Sequence, residues 1–405
     1  MRMSFLQSSR NRLITSVWTA SLLFLLFQGG RLSFLLFTGF SAIVLYLFLV
    51  SKSGISNVQI TRSIPMAPGE RIVAGTPVDI QLNFFIPGFI PIPYVLVTDR
   101  LRRHNGQEIS YETSFVPDWR RRGEVTITTP PLKRGRYSFS ETSCTVEDIF
   151  GLYQYSKNVS APFSFTVYPS RVMVKEWQDF NSMYRGKHLH SVNSEVQRET
   201  TQFNGVREYI HGDPLSRIHW NASARTGTWK SKEYEKESLP RMMIVLDCAA
   251  EYRNSEQFET AVSTAASLLD YAQQADLPVG LITSEKDLGW MAPQRGRVQY
   301  EKLLNRLIDV EATGTSSLEE IMQTRRRELD SRLFLVFITP RADASFLQML
   351  RWCRTISLHA SVIQVAPYPE PGVQQWQKDL YGIGIPSYRI GALRELPVVL
   401  GGGRA

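Results

Sequence analysis

From residue 13 to residue 50 the chain is almost unbroken in apolar side chains, with one charge, Arg31, beside Gly29-Gly30. A single helix of that length would measure about 57 Å, nearly twice a bilayer core of about 30 Å. The pattern therefore predicts two transmembrane helices, at 13–29 and 32–50, joined by a turn at Gln28-Gly29-Gly30-Arg31. A cleaved signal peptide is the competing reading. Against it, the apolar run passes into a second span rather than ending at a small-residue cleavage site.

Beyond residue 52 the period changes to two. Residues 58–62, 78–84, 94–98, 124–128, 137–139 and 163–167 read as short strands. Pro68-Gly69, Pro87-Gly88, Asn105-Gly106, Arg122-Gly123 and Arg134-Gly135 mark turns among them. This spacing predicts an all-β immunoglobulin-like sandwich over 53–170. Its basic clusters at 100–104, 120–122 and 133–136 flank those turns and read as solvated, with an anionic lipid surface as the alternative partner.

Residues 241–395 carry a third pattern. The apolar run 242–247 ends in Asp247 and has the shape of a buried parallel strand. Residues 255–274 place Phe258, Ala261, Val262, Ala265, Leu268 and Leu269 at helical spacing. Strands at 277–283, 333–339 and 360–366 alternate with helices at 298–310 and 346–355. The alternation predicts a doubly wound α/β domain with ligand sites at the strand C-termini. The whole reads as a membrane-anchored multidomain chain: helix pair at 1–52, sandwich at 53–170, linker at 171–240, α/β domain at 241–395, and a flexible tail at 396–405.

The linker is polar and dense in unusual residues. Gly212-Asp213-Pro214 reads as a turn, with Asp213 placed to cap the segment after it. Ile218, Trp220 and Ala224 fit one buried side of a short helix, while Arg207, Asp213, Arg217 and Arg225 are available for charge-assisted pairing. Arg207, Tyr209, Gly212, Asp213, Ile218, Trp220, Ser223, Ala224 and Arg225 together closely resemble the signature of the bacterial family called domain of unknown function 58. Arg134-Gly135-Arg136-Tyr137 and Asp148-Ile149-Phe150-Gly151-Leu152 are similar to two further elements of that family. The resemblance implies a membrane-bound scaffold or adaptor associated with MoxR-type AAA+ ATPases and with membrane or envelope proteins, without established catalysis. For the nine signature residues it leaves three roles open: docking the linker, binding a partner, or catalysis.

The C-terminal layout resembles the von Willebrand A fold, whose metal loop has the pattern D-x-S-x-S. Here that loop is Asp247-Cys248-Ala249-Ala250-Glu251, so Ala249 and Glu251 stand where serines would. Alanine offers no side-chain oxygen to a hard cation. Thr283 and Asp343 match the remaining positions only loosely. The expectation is a degenerate loop that holds no metal, with Asp247 capping a helix or pairing with a linker arginine. No cofactor is implied.

Composition sharpens the topology. Net charge is +8, from 46 basic and 38 acidic residues. Arg2, Arg10, Arg12 and Arg31 meet no acid in residues 1–50, which leaves 42 basic against 38 acidic residues beyond. The excess is thus a membrane-flank signal and no nucleic-acid partner is expected. Arg2, Arg10 and Arg12 before the first span, with Lys52 and Arg62 after the second, predict cytoplasmic N- and C-termini in the cell membrane. Three scattered cysteines, Cys144, Cys248 and Cys353, fit a reducing compartment. His188 and His190 read as loop residues. The expected function is a non-enzymatic adaptor. The alternatives are a hydrolase of envelope precursors using Glu208, His211 or Asp213, and an anionic-lipid sensor using the sandwich arginines.

Overall fold

The structure is a computed structural model. It describes residues 2–51, 57–88, 92–147, 154–185, 203–234, 241–285, 289–314, 316–330, 332–366 and 373–402. The chain forms two compact units, Met1–Tyr168 and Pro169–Ala405. The element at 148–152 and the histidines 188 and 190 lie outside the described residues.

In the first unit, α1 (Arg2–Gln28) and α2 (Gly30–Ser51) turn at Gly29, whose φ of 61° suits a residue without Cβ. Trp18 Nε1 donates to Ser41 Oγ at 3.0 Å and the Trp18 ring meets Phe37, so the helices pack as an antiparallel hairpin. The stretch Gly30–Leu49, of mean hydropathy 2.2, is long and apolar enough to cross a membrane. The apolar stretch Arg12–Gln28 is shorter.

Two sheets follow. One runs β1 (Gln59–Ser63), β3 (Asp79–Phe85), β6 (Arg122–Thr128). The other runs β2 (Ile72–Val73), β8 (Gln154–Tyr168), β7 (Gly135–Glu147), β4 (Val95–Arg103), β5 (Glu108–Phe115). Alternate residues point to a shared core: Ile80, Leu82 and Phe84 from the first sheet; Val95, Val97, Leu101 and Phe139 from the second. Arg62 on β1 crosses to Asp99 on β4 at 2.9 Å, with both side chains sealed from solvent. It also donates to Thr142 and to the Ala161 carbonyl, and it lies over the Phe139 ring.

The basic clusters are not uniformly solvated. Arg103, Arg121 and Arg134 are buried, whereas Arg100, Arg102, Arg120, Arg122, Lys133 and Arg136 are exposed. Strand alternation accounts for part of this. Arg103 shares the inward side of β4 with Val97 and Leu101, and donates to the Arg134 carbonyl at 2.7 Å.

The second unit begins with a strap. Arg171 binds Asp270 and Tyr300, the Val172 amide donates to Ser267, and Trp177 is fully buried. Then come α3 (Gln178–Arg185), β9 (Phe203–Glu208), α4 (Trp220–Thr226) and β10 (Lys230–Tyr234). The main sheet is built from β11 (Arg241–Leu246), β12 (Val279–Thr283), β13 (Gly289–Gln294), β14 (Leu333–Thr339), β15 (His359–Val365) and β16 (Ser387–Ile390). Its order is β13-β12-β11-β14-β15-β16, parallel except for β13.

One face of the sheet packs α7 (Leu318–Thr324), α8 (Ala344–Thr355) and α9 (Val373–Ile383) against Met243, Val245, Leu335 and Phe337. The other carries α5 (Ser255–Gln274), with α6 (Arg297–Asp309) beside it. Helix α10 (Leu396–Leu400) comes after β16. The residues expected to be a linker belong to the same compact unit as this sheet.

Candidate functional site

Two places gather the singled-out residues. The first is the signature stretch. Strands β9 and β10 pair antiparallel, Glu208 opposite Lys230, and an added bridge joins Ile218 to Ser231. Asp213 closes the turn behind β9. One of its carboxylate oxygens takes Arg207 Nη2 at 2.7 Å and the other the Ile210 amide at 3.2 Å. The Arg207 hydrogen bond, then the Ile210 amide, holds the Asp213 carboxyl below its ordinary value. Gly212 has φ 112°, which a side chain would strain. Tyr209 donates to the Asp213 carbonyl, and its ring meets Trp229 edge-on at 5.5 Å.

Asp213 therefore caps nothing downstream. Pro214 leads into the 3-10 turn Leu215–Arg217 without a side-chain cap, and α4 is capped by His219 Nδ1, which accepts from the Ala222 amide. Nor does α4 bury Trp220 or Ala224. Trp220 is 67% exposed, and Ala224 and Arg225 are exposed too. The seven-residue helix turns Ser223 toward β10, where Ser223 Oγ donates to the His219 carbonyl and accepts from the Lys230 amide. Ile218 is buried, but before the helix. His211 is exposed. The signature thus divides into residues that hold a turn-and-hairpin module and residues that face outward.

The second place is the C-terminal end of the main sheet, where a cavity of about 360 Å³ is lined by Ala249, Glu251, Arg253, Arg341, Asp343 and Ala366, among others. Asp247, 1% exposed, does not line the cavity but is bonded to the Ala249 and Ala250 amides of its wall. Its Oδ2 accepts from Thr339 Oγ1 at 2.8 Å; its Oδ1 accepts from the Ala249 and Ala250 amides at 3.3 and 3.1 Å. Ser284 Oγ accepts from the Cys248 and Ala249 amides, and Tyr252 donates to the Asp247 carbonyl. Gly314 packs tightly on this loop: a Cβ there would lie 2.2 Å from the Ser284 carbonyl oxygen and 2.7 Å from the Ala249 nitrogen. Burial raises the Asp247 carboxyl above its ordinary value, against the pull of Thr339, Arg341 and the two amides.

Among the described residues Asp247 is therefore neither a helix cap nor a partner of a linker arginine. Asn254 caps α5, and the nearby guanidinium is Arg341. Arg341 bonds Asp343 at 2.7 and 3.2 Å, Glu319 at 3.3 Å and Ser345 at 2.9 Å. Asp343 also caps α8 through the Phe346 amide. Burial pushes the Asp343 carboxyl up, but hydrogen bonds from Arg341, Ser345 and Phe346 outweigh it and hold the pKa at about 2. Thr283 does not join the group: its buried hydroxyl has no hydrogen-bond partner among the described residues. Ala249 contributes only its amide, and Glu251 lies exposed on the rim.

Thr339, Ser284 and Arg341 escape a linear reading. Thr339 comes directly after Ile338, which pairs with Leu246, so strand adjacency alone would place it beside Asp247. Among the described residues no three His, Cys, Asp or Glu side chains are grouped to hold a metal.

Residues 205–367 match the family model described as protein of unknown function DUF58. The uncharacterized protein YeaD of Bacillus subtilis is 23% identical over 306 residues, 73% of each chain. Among solved structures, a CARDB domain from Pyrococcus furiosus covers 28% of this chain and 94% of its own, at 16% identity and TM-score 0.19. The ApaA protein of Bordetella pertussis covers 27% of this chain and 94% of its own, at 8% identity and TM-score 0.21.

Proposed function

We propose that the chain is a membrane-tethered, non-enzymatic adaptor that works with a MoxR-type AAA+ ATPase in the assembly or maturation of envelope-associated proteins. One observation carries the reading. Ile210, Leu215, Trp220 and Trp229 are 63%, 64%, 67% and 55% exposed within a single small module whose polar residues bond one another. Exposed apolar clusters mark interaction surfaces, and tryptophan is enriched where partners anchor.

The scaffold agrees with this reading. A sheet ordered β13-β12-β11-β14-β15-β16 with an antiparallel first edge supports a von Willebrand A-like unit, and two antiparallel-strand sheets on one core support an immunoglobulin-like sandwich. The α1–α2 hairpin, with arginine and lysine on its outer flanks, supports two spans and cytoplasmic termini.

The test is a photo-crosslinking residue in place of Trp220 in living cells. Adducts with an AAA+ ATPase, lost on Arg225→Glu, are expected. Adducts that never include an AAA+ ATPase overturn the partner. A C-terminal reporter active only outside the cytosol overturns the topology.

A further inference from the structure

The sandwich is joined to the α1–α2 hairpin at one end, and that end displays aromatic side chains. Val58 is already buried in the sandwich core, seven residues after α2 ends at Ser51. Seven residues span at most about 25 Å. The chain then enters β1 at Gln59, which pairs with Phe85 of β3, which pairs in turn with Arg122 of β6. Phe84 stacks on Phe115 with ring centroids 4.7 Å apart, so the second sheet brings its row Phe115, Val95, Val146, Tyr155 to the same end. The opposite end, with the Asn105-Gly106 turn, lies the length of β4 away, about 30 Å.

The loop between β5 and β6 is the centre of this display. The Asp118 amide donates to the Arg122 carbonyl and the Arg121 amide to the Asp118 carbonyl, both at 2.8 Å. The Asp118 carboxylate accepts from the Arg122 amide at 2.7 Å. Arg121 sits at φ 61°, a left-handed conformation that a residue with a Cβ adopts at a cost, and its carbonyl accepts from the Ile86 amide. This closure holds Trp119 outward at the tip, 84% exposed, with the Arg120 guanidinium 4.6 Å from the ring centroid. Val116, 72% exposed, lines one groove with Phe85. Phe85 and Tyr155 are exposed as well.

We propose that this loop inserts Trp119 and Val116 into the interfacial layer of the bilayer that holds α1 and α2, so that the sandwich stands on the membrane by this end. The proposal rests on the membrane reading of the helix pair and not on the ATPase partner. Tryptophan and tyrosine favour the membrane–water boundary, where the ring is apolar and the N–H or O–H stays wet. Arg120, stacked on that ring, brings a guanidinium to the level of lipid phosphate. The short connection from α2 favours the bilayer over a separate protein, because it keeps the loop at high effective concentration beside the surface. Net charge does not select the occupant. Asp118, Glu124 and Glu147 offset Arg120 and Arg122 at this end, with Asp118 engaged by the turn and Glu147 by the Tyr94 hydroxyl. The apolar tip supplies the attachment, so a neutral phosphatidylcholine surface suffices.

The test uses the full chain in phosphatidylcholine vesicles. Its cysteines, Cys144, Cys248 and Cys353, are buried, so an introduced surface cysteine takes a fluorophore selectively. A nitrobenzoxadiazole label on Val116→Cys should be quenched about twofold by lipids that carry a nitroxide just below the headgroup. The same label on Asn105→Cys, at the opposite end, should not be quenched. Trp119→Ser changes an exposed position that leaves the fold intact, and should remove about half of the quenching at position 116. A label on Leu45→Cys, exposed on α2, reports insertion of the helices separately. Quenching at position 45 without quenching at position 116 overturns the proposal and leaves the membrane reading standing. Quenching at neither overturns both. Quenching that is equal at positions 116 and 105, or unchanged in Trp119→Ser, also overturns the proposal. So does quenching seen only after phosphatidylglycerol is added, which would assign the contact to arginine charge alone.

Discussion

Thr339 donates its hydroxyl proton to the buried carboxylate of Asp247 at 2.8 Å, joining the C-terminal ends of two adjacent strands. Replacing Thr339 by Val keeps the shape and removes the donor. The buried carboxylate then loses a hydrogen bond, at a cost of about 1–3 kcal/mol. Urea unfolding at pH 7 should show this loss for Thr339→Val and little loss for Thr339→Ser. Because burial raises the Asp247 carboxyl, its protonated form favours the fold. That contribution is full below the unfolded carboxylate value and fades as pH rises through the raised one. Asp247→Asn should remove that slope.

Asp343 titrates in the opposite sense. Its folded pKa of about 2 lies below the ordinary 3.8, so its contribution is present above pH 4 and lost as pH falls toward 2. The side chain is 46% exposed, so solvent screening limits the effect to about 1 kcal/mol. Asp343→Asn retains the cap on α8 but not the charge. Denaturation midpoints from pH 6 to pH 2 should fall less steeply in this variant than in the natural chain.

Arg62 and Asp99 tie the two sheets of the first unit through a pair that no water reaches. Arg62→Met strands the carboxylate and should cost about 3–5 kcal/mol, whereas Arg62→Met with Asp99→Leu should recover most of it. Hydrogen exchange of the β3 and β4 amides reads this unit by itself. Exchange should quicken by about two to three orders of magnitude in the single variant.

Trp177 packs its ring against Tyr271, Phe334, Tyr388 and Phe180, and its indole N–H donates to Tyr388 at 3.0 Å. Trp177→Ala should cost about 3–5 kcal/mol, and Trp177→Phe distinctly less. Limited proteolysis across 169–180 should show the strap released in the alanine variant and held in the phenylalanine one.

The helix over 255–274 and the strand over 333–339 are legible from the chain because each carries one unmixed period, and the structure has them at Ser255–Gln274 and Leu333–Thr339. Strand β5 hides because its residues are all at least partly exposed, so polar side chains break its alternation. The β9–β10 hairpin hides inside a polar stretch. It is held by Asp213, Ser223 and backbone bonds rather than by an apolar stripe. Strand β16 has four residues, too few for any period. At the sheet end, Asp247 is readable as a strand-terminal acid. Its partners are not, because Ser284 and Thr339 reach it only through the strand order.

The loop after β11 also fixes an order of events during synthesis. Its amides wait for Ser284, 36 residues downstream of Cys248, and its carboxylate for Thr339, 92 residues downstream of Asp247. A nascent chain arrested before residue 339 has the strand but not the clasp, so Asp247 stays hydrated and the sheet end unfinished. Closure of this loop must therefore wait for β14, with α8, β15, α9, β16 and α10 still to be made, which makes the interval between β11 and β14 a stretch where a holding chaperone has an unfinished sheet end to protect.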